Sequence, residues 1–239
     1  MRFTNSMKIS FVAATVLLFL GMGFTPQQQS GIQGAYIHKK PDGSQIVLLF
    51  ADNYFTLSAY HLADKKFLYT WGGPFKAANG KMQVKVEFDT WQKESVGQDL
   101  PADLTLTDDQ LTFNKMVFKK IDDGKDPIAG CYRITGRMQN GTLNEMPKRA
   151  RKTLKLLTGT RFQWMAINSE TGEFFGTGGG RYTFANGKYT EHIEYFSRDS
   201  TRVGAALSFD GSFDNGKWRH SGLSSRGEPI DEIWTREEQ

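Results

Sequence analysis

Apolar and polar side chains alternate along this chain in short runs. The clearest are Tyr54–Tyr60, Lys81–Asp89, Arg161–Asn168, Tyr189–Arg198 and Val203–Phe209. A period of two places one set of side chains on each face, so each run predicts a strand with one buried face. Asn79-Gly80 and Asn186-Gly187 each separate two such runs. That dipeptide favours the positive backbone angles of a two-residue hairpin turn. Asp42-Gly43, Thr171-Gly172, Asp210-Gly211 and Asn215-Gly216 mark further turns. No stretch after the first 30 residues offers an amphipathic helix of 12 residues. The pattern therefore predicts an antiparallel meander of strands.

The meander is written twice. Residues 46–97 and 153–204 match without a gap at an offset of 107: Leu49, Phe55, Ala59, Phe67, Thr70, Gly72, Gly73, Asn79, Gly80, Lys81, Glu87 and Gly97 all recur. A repeat near 100 residues is one whole domain duplicated, since solenoid units are shorter. The copies open alike, at Gly34-Ala35-Tyr36 and Gly130-Cys131-Tyr132. They also close alike, at Met116–Lys120 and Glu232–Arg236. The expected division is a leader and polar spacer at 1–30, a first domain at 31–121, a linker at 122–129 and a second domain at 130–239. Between opening and core the second copy carries 11 extra residues, placed within Gly136–Ala150 and read as a hairpin around Asn140-Gly141 or a longer loop.

A Gly-x-aromatic opening strand, an up-and-down meander and a closing strand bearing a cation resemble the lipocalin (calycin) pattern, with tyrosine standing where that family usually has tryptophan. The second copy, from Arg151-Lys152-Thr153 through Thr177-Gly178-Gly179-Gly180 to Tyr189-Thr190-Glu191, resembles a lipocalin-like domain of exported bacterial proteins. The resemblance implies an all-β fold of two tandem antiparallel up-and-down lipocalin-like β-barrels. It also implies binding of a small molecule, the commonest role in that family, with Gly136–Ala150 as the loop covering the open end.

Composition narrows the function classes. A formal net charge of +4 is too mild for a nucleic-acid binder. Arg2 and Lys8 followed by the apolar run Ile9–Leu20 read as an export signal, too short to span a membrane. Secretion or a periplasmic location is expected, with no stable membrane span after cleavage. Cys131 is the single cysteine, so no internal disulfide is available and the domains must stand on apolar cores. It reads as a buried apolar side chain.

Few local motifs carry chemistry. Gly176–Gly180 runs into Arg181-Tyr182-Thr183-Phe184, a strand rather than a helix, so it reads as a bulge or barrel corner and not a phosphate loop. His38, His61, His192 and His220 lack metal-ligand spacing, and neither metal nor cofactor is expected. Strand alternation puts Glu191 and Glu194 on opposite faces, against a paired-carboxylate glycosidase. No serine sits in a nucleophile elbow. Lys148, Arg149, Arg151, Lys152 and Lys155 read as a charged strand edge. Glu191 stands out because the first copy has Val84 there, on the inward face. His192 and Glu194 are expected outward, beside solvent. The candidate binding residues are Tyr132, Phe162, Trp164, Phe174, Tyr182, Glu191, Tyr195, Trp218 and His220, with Arg161 or Arg181 also within reach of the interior. The function expected is non-catalytic binding of a small hydrophobic or amphipathic ligand in the second barrel. The alternatives are an envelope protein- or glycan-interaction module with filled barrels, and an enzyme using the barrel interior.

Overall fold

The computed structural model describes residues 31–214 and 216–237; the stretch read as an export signal lies outside them. The first repeat contains β1 (Gly34–Lys39), β2 (Ser44–Ala51), β3 (Tyr54–His61), β4 (Lys66–Ala78), β5 (Lys81–Lys85), β6 (Phe88–Asp89), β7 (Asp99–Leu106), β8 (Gln110–Phe113) and β9 (Met116–Asp122). The second contains β10 (Gly130–Gln139), β11 (Thr142–Glu145), β12 (Arg151–Leu157), β13 (Arg161–Asn168), β14 (Phe174–Ala185), β15 (Lys188–Phe196), β16 (Ala206–Asp214), β17 (Lys217–Leu223) and β18 (Pro229–Arg236). Every pairing is antiparallel, and each sheet closes on itself through β1–β9 or β10–β18. With β5 and β6 counted as one interrupted strand and β11 as an appended hairpin, each repeat is a closed barrel of 8 strands. This is the all-β tandem architecture the alternation predicts, consistent with a lipocalin-like fold.

The Asn-Gly turns at Asn79 and Asn186 form where the sequence places them. Asn79 and Asn186 have φ of 52° and pass directly to Gly80 and Gly187 at 74° and 71°. Asp210-Gly211, in contrast, is no turn: both residues run through β16, paired with Ser221 and His220. The glycine is needed there because a Cβ would lie 3.0 Å from the Phe184 ring. Asn215 of the Asn215-Gly216 turn lies outside the described residues. The glycine corner is a steric requirement in both copies. A Cβ on Gly73 would lie 1.9 Å from the Lys85 carbonyl oxygen, and one on Gly180 2.1 Å from that of His192. The ladder between β14 and β15 slips by one residue at Gly179/Gly180. That bulge leaves Glu194 as the extra residue, so Ile193 faces the barrel interior while Glu194 and Tyr195 both reach its outer wall.

That outer wall is not solvated, which corrects the expectation for Glu194. A third apolar core lies between the barrels, where Val47, Leu49, Tyr54, Tyr60 and Phe88 meet Cys131, Leu154, Leu156, Met165 and Tyr195. Its contacts exchange under the 107-residue shift. Phe67 stacks on Tyr195 at 6.1 Å and 26°, while their counterparts Phe174 and Phe88 stack at 6.3 Å and 24°. The barrels thus meet as an isologous pair does, residue i touching j and j touching i.

The repeated glutamates are fixed in this interface. Glu87 accepts hydrogen bonds from Tyr54 Oη at 2.7 Å and Lys152 Nζ at 2.8 Å. Glu194 accepts from Tyr60 Oη at 2.7 Å, Arg161 Nη1 at 2.6 Å and Arg181 Nε at 2.9 Å. Each carboxylate therefore draws a tyrosine from the first barrel and a cation from the second. Burial, and then the Glu194 charge, push the Tyr60 hydroxyl well above its ordinary pKa, keeping it a donor. Arg161 and Arg181 are thereby committed to Glu194. Between the two glutamates, Gln163 donates to Thr70 at 3.0 Å and to its counterpart Thr177 at 3.1 Å. Ends are pinned reciprocally as well: Asp52 on the β2–β3 turn takes Arg236 and the Cys131 amide, and Asp122 takes the amides of Gly159 and Thr160 on the β12–β13 turn.

An interface this apolar makes the barrels one cooperative unit. Calorimetry is expected to give a single transition with calorimetric and van't Hoff enthalpies equal. Phe67→Ala and Phe174→Ala are each expected to lower stability by about 2–3 kcal/mol. Two resolved transitions in the wild type would contradict this account.

Candidate functional site

The two barrel interiors are built on the same positions and filled differently. In the first, Tyr36, Leu48, Phe50, Phe55, Leu57, Phe75, Met82, Val84, Phe113 and Phe118 pack into one continuous apolar core. Strand registers identify the counterparts: Tyr36 faces Leu48 as Tyr132 faces Lys155, Phe75 faces Val84 as Tyr182 faces Glu191, and Phe113 faces Met116 as His220 faces Glu232. Four apolar positions have thus become ionisable in the second barrel alone: Leu48 to Lys155, Val84 to Glu191, Phe113 to His220 and Met116 to Glu232.

These four side chains face one another at one end of the second barrel. Lys155 Nζ donates to Glu191 Oε1 at 2.8 Å, and both side chains are about 5% exposed. Tyr189 donates to the same oxygen at 3.0 Å. Lys155 Nζ also lies 5.1 to 5.4 Å from the ring centroids of Trp234, Tyr189 and Trp218, inside the range of cation–π attraction. The second pair is His220 Nε2 with Glu232 Oε2 at 3.0 Å, and Arg137 Nη2 reaches Glu232 Oε1 at 3.3 Å from the rim. Burial, then the nearby Lys155 charge, push the His220 imidazole below its ordinary pKa. It is uncharged at neutral pH. Burial alone would raise Glu232, but the His220 hydrogen bond and the charges of Lys155 and Arg137 hold its carboxyl below the usual range.

Beside these groups lies a cavity of about 190 Å³. Its wall includes Lys155, Glu191, His220, Glu232, Trp164 and Trp234. Trp164 owes its place to the glycine run: a Cβ on its cross-strand partner Gly178 would lie 2.7 Å from the indole Nε1. Outside the cavity, a surface groove of about 420 Å³ shares Arg137, Ser224, Ser225, Ile230 and Glu232 with it. The extra segment forms the β10–β11 hairpin, with Asn140 and Gly141 at its tip. Arg137 is its contribution to the cavity and Met138 and Gln139 its contribution to the groove, so it extends the wall rather than capping the mouth.

Of the residues the sequence singles out, Trp164, Glu191 and His220 line the cavity. Tyr132, Phe162, Tyr182 and Trp218 lie in the same barrel core but not on the cavity wall. Phe174 and Tyr195 lie elsewhere, in the core between the barrels. Tyr195 reaches the outer wall because of the bulge at Gly179/Gly180, and Phe174 lies beyond another register shift, at Ala166/Ile167. Lys155 and Glu232 escape the sequence reading: one sits among five basic residues between positions 148 and 155, the other on the closing strand, where only the cation drew notice. Aligning Leu48 and Met116 onto them is the signal that would have found both.

Among the described residues, no three His, Cys, Asp or Glu side chains come together to hold a metal ion, and no helix is long and apolar enough to cross a membrane. Neither a protein-family model nor a curated protein matches the chain.

The site has a pH signature. The depressed imidazole of His220 means that the unfolded chain binds a proton that the folded chain refuses, so the stability associated with the uncharged ring is fully present above about pH 6.5 and is lost as pH falls. Glu232 adds a second loss below about pH 4.5. Denaturant titrations are expected to show wild-type stability falling from pH 7 to pH 5 more steeply than that of His220→Phe. Parallel curves would remove the argument for a buried neutral imidazole.

Proposed function

We propose that this chain is an exported, non-catalytic binding protein whose second barrel holds a small, partly apolar ligand. One contrast carries the reading: two copies of one barrel share a backbone, yet only the second exchanges four core positions for ionisable groups, and it does so around a cavity. Burying charges is a poor way to stabilise a barrel. Replacing buried ion pairs with apolar residues of similar volume is commonly neutral or stabilising by about 1–4 kcal/mol. Groups retained at such a cost fit a binding role better than a structural one. The filled first barrel then serves as the rigid wall against which the second is built. The resemblance to exported lipocalin-like domains agrees with this reading and with the leader-like first 30 residues.

The test restores the first barrel's core in the second, as Lys155→Leu, Glu191→Val, His220→Phe and Glu232→Met together. This variant is expected to fold with equal or higher stability in denaturant titration. Native mass spectrometry of wild-type protein purified from its own host is expected to show a co-purifying small molecule that the variant lacks. A wild-type protein that carries nothing, and whose melting temperature does not move in host extract, would overturn the proposal.

A further inference from the structure

We infer that the ligand is an uncharged polyhydroxylated ring: the terminal pyranose unit of an oligosaccharide, seated in the second-barrel cavity with its neighbouring units in the outer groove. The inference rests on the reading that this cavity binds a small molecule.

Charge balance is the first ground. Glu191 is already matched by Lys155 and Glu232 by Arg137, while burial leaves His220 uncharged. A fatty-acid carboxylate or a peptide terminus would bring a charge with no counter-ion left for it, and a buried unpaired charge is costly. An uncharged ligand meets no such penalty.

Chemical complementarity is the second. Carboxylates that accept and Lys155, Arg137, Ser224 and Ser225 that donate lie around one small space, beside the carbon faces of Trp164, Phe196, Phe209 and Trp234. Each hydroxyl of a sugar donates and accepts, and the axial C–H groups of a pyranose make an apolar face. Such a ring uses both kinds of wall at once, whereas an acyl chain would offer nothing to His220 Nδ1 and Trp234 Nε1, which are buried without a partner in the protein.

Size and shape are the third. A volume of about 190 Å³ falls below the roughly 300–1,000 Å³ of sites for drug-sized ligands. The far end of the barrel is closed by Tyr132, Tyr182, Tyr189 and Trp218, so a long chain cannot extend inward. Extension is possible only outward, where the groove adds Gln139, Arg226, Glu228 and Asp231. A polar groove leading from a ring-sized pocket suits a chain of sugars.

Saturation-transfer NMR on the full chain tests this with four probes: a panel of methyl pyranosides, the matching disaccharides, hexanoate, and a mixture of short peptides. At least one pyranoside is expected to receive saturation through its ring protons, and its disaccharide to bind more tightly. Trp164→Ala and Glu191→Gln are each expected to weaken binding about tenfold, and the fourfold apolar variant to abolish it with the fold intact. Binding of hexanoate or peptide without any pyranoside would overturn the sugar assignment and leave the cavity reading standing. Binding of pyranosides equally by the fourfold variant would place the sugar elsewhere and overturn the inference. Silence from all four probes, together with an empty protein from the host, would overturn both.

Discussion

The arrangement depends on one constraint: the outer faces of the two barrels are too apolar to meet water and must be buried against each other. In an isolated small barrel, strands alternate between a filled inside and a solvated outside. Here β2 and β3 of the first barrel are buried on both faces, and β12 and β13 of the second turn Leu154, Leu156, Met165 and Ile167 outward. The charged and amide groups at the centre of that contact are matched across it, Glu87 by Lys152, Glu194 by Tyr60, and Gln163 by Thr70. Such matching fixes a single relative placement, because a slip of one residue would strand buried carboxylates.

The two copies resolve one geometric choice differently. A closed eight-stranded barrel has an interior just large enough to be filled by side chains or to hold one small guest. The first copy takes the filled solution, and Phe50, Phe55, Phe75 and Phe113 pack on one another at 5.0 to 5.6 Å between centroids. The second copy keeps an aromatic floor but surrounds the remaining space with paired charges. A single barrel would have had to reconcile stability and a polar hollow in one core. Two fused barrels let one supply the stability.

Much of this architecture is readable from the chain. Asn-Gly turns, period-two alternation and the 107-residue repeat lead directly to the observed hairpins and to two antiparallel domains in tandem, because those signals are local or compare the chain with itself. Closure into barrels followed only from the lipocalin resemblance. The inward placement of Glu191 was legible for the same reason, since Val84 marks the face. The outward turn of Tyr195 was not: a bulge changes the parity of the strand, and alternation alone does not announce where parity breaks. Glu194 faces outward as alternation gives, and what alternation misses is that this wall is buried against the first barrel. Phe174 and Tyr195 illustrate a second blindness. An aromatic residue on the outer wall of one barrel looks like a core residue, and it is one, but of a core shared with the other barrel. Lys155 was hidden by its basic neighbours, which face solvent or the interface while it alone points inward.

The asymmetry of the glutamate contacts governs which halves can recognise each other. Two first halves would surround each buried carboxylate with tyrosines and the neutral Gln45 that stands in place of Lys152. Two second halves would supply cations but offer Ile167 where Tyr60 belongs. Gln163 adds to the discrimination, because its counterpart Thr56 is too short to bridge Thr70 and Thr177, and its own hydroxyl finds no partner. Like halves are therefore mismatched and unlike halves matched. What began as self-recognition between identical copies has become an orthogonal lock, so that even in a crowded compartment each first half closes on a second half, and the tether linking them makes that second half its own.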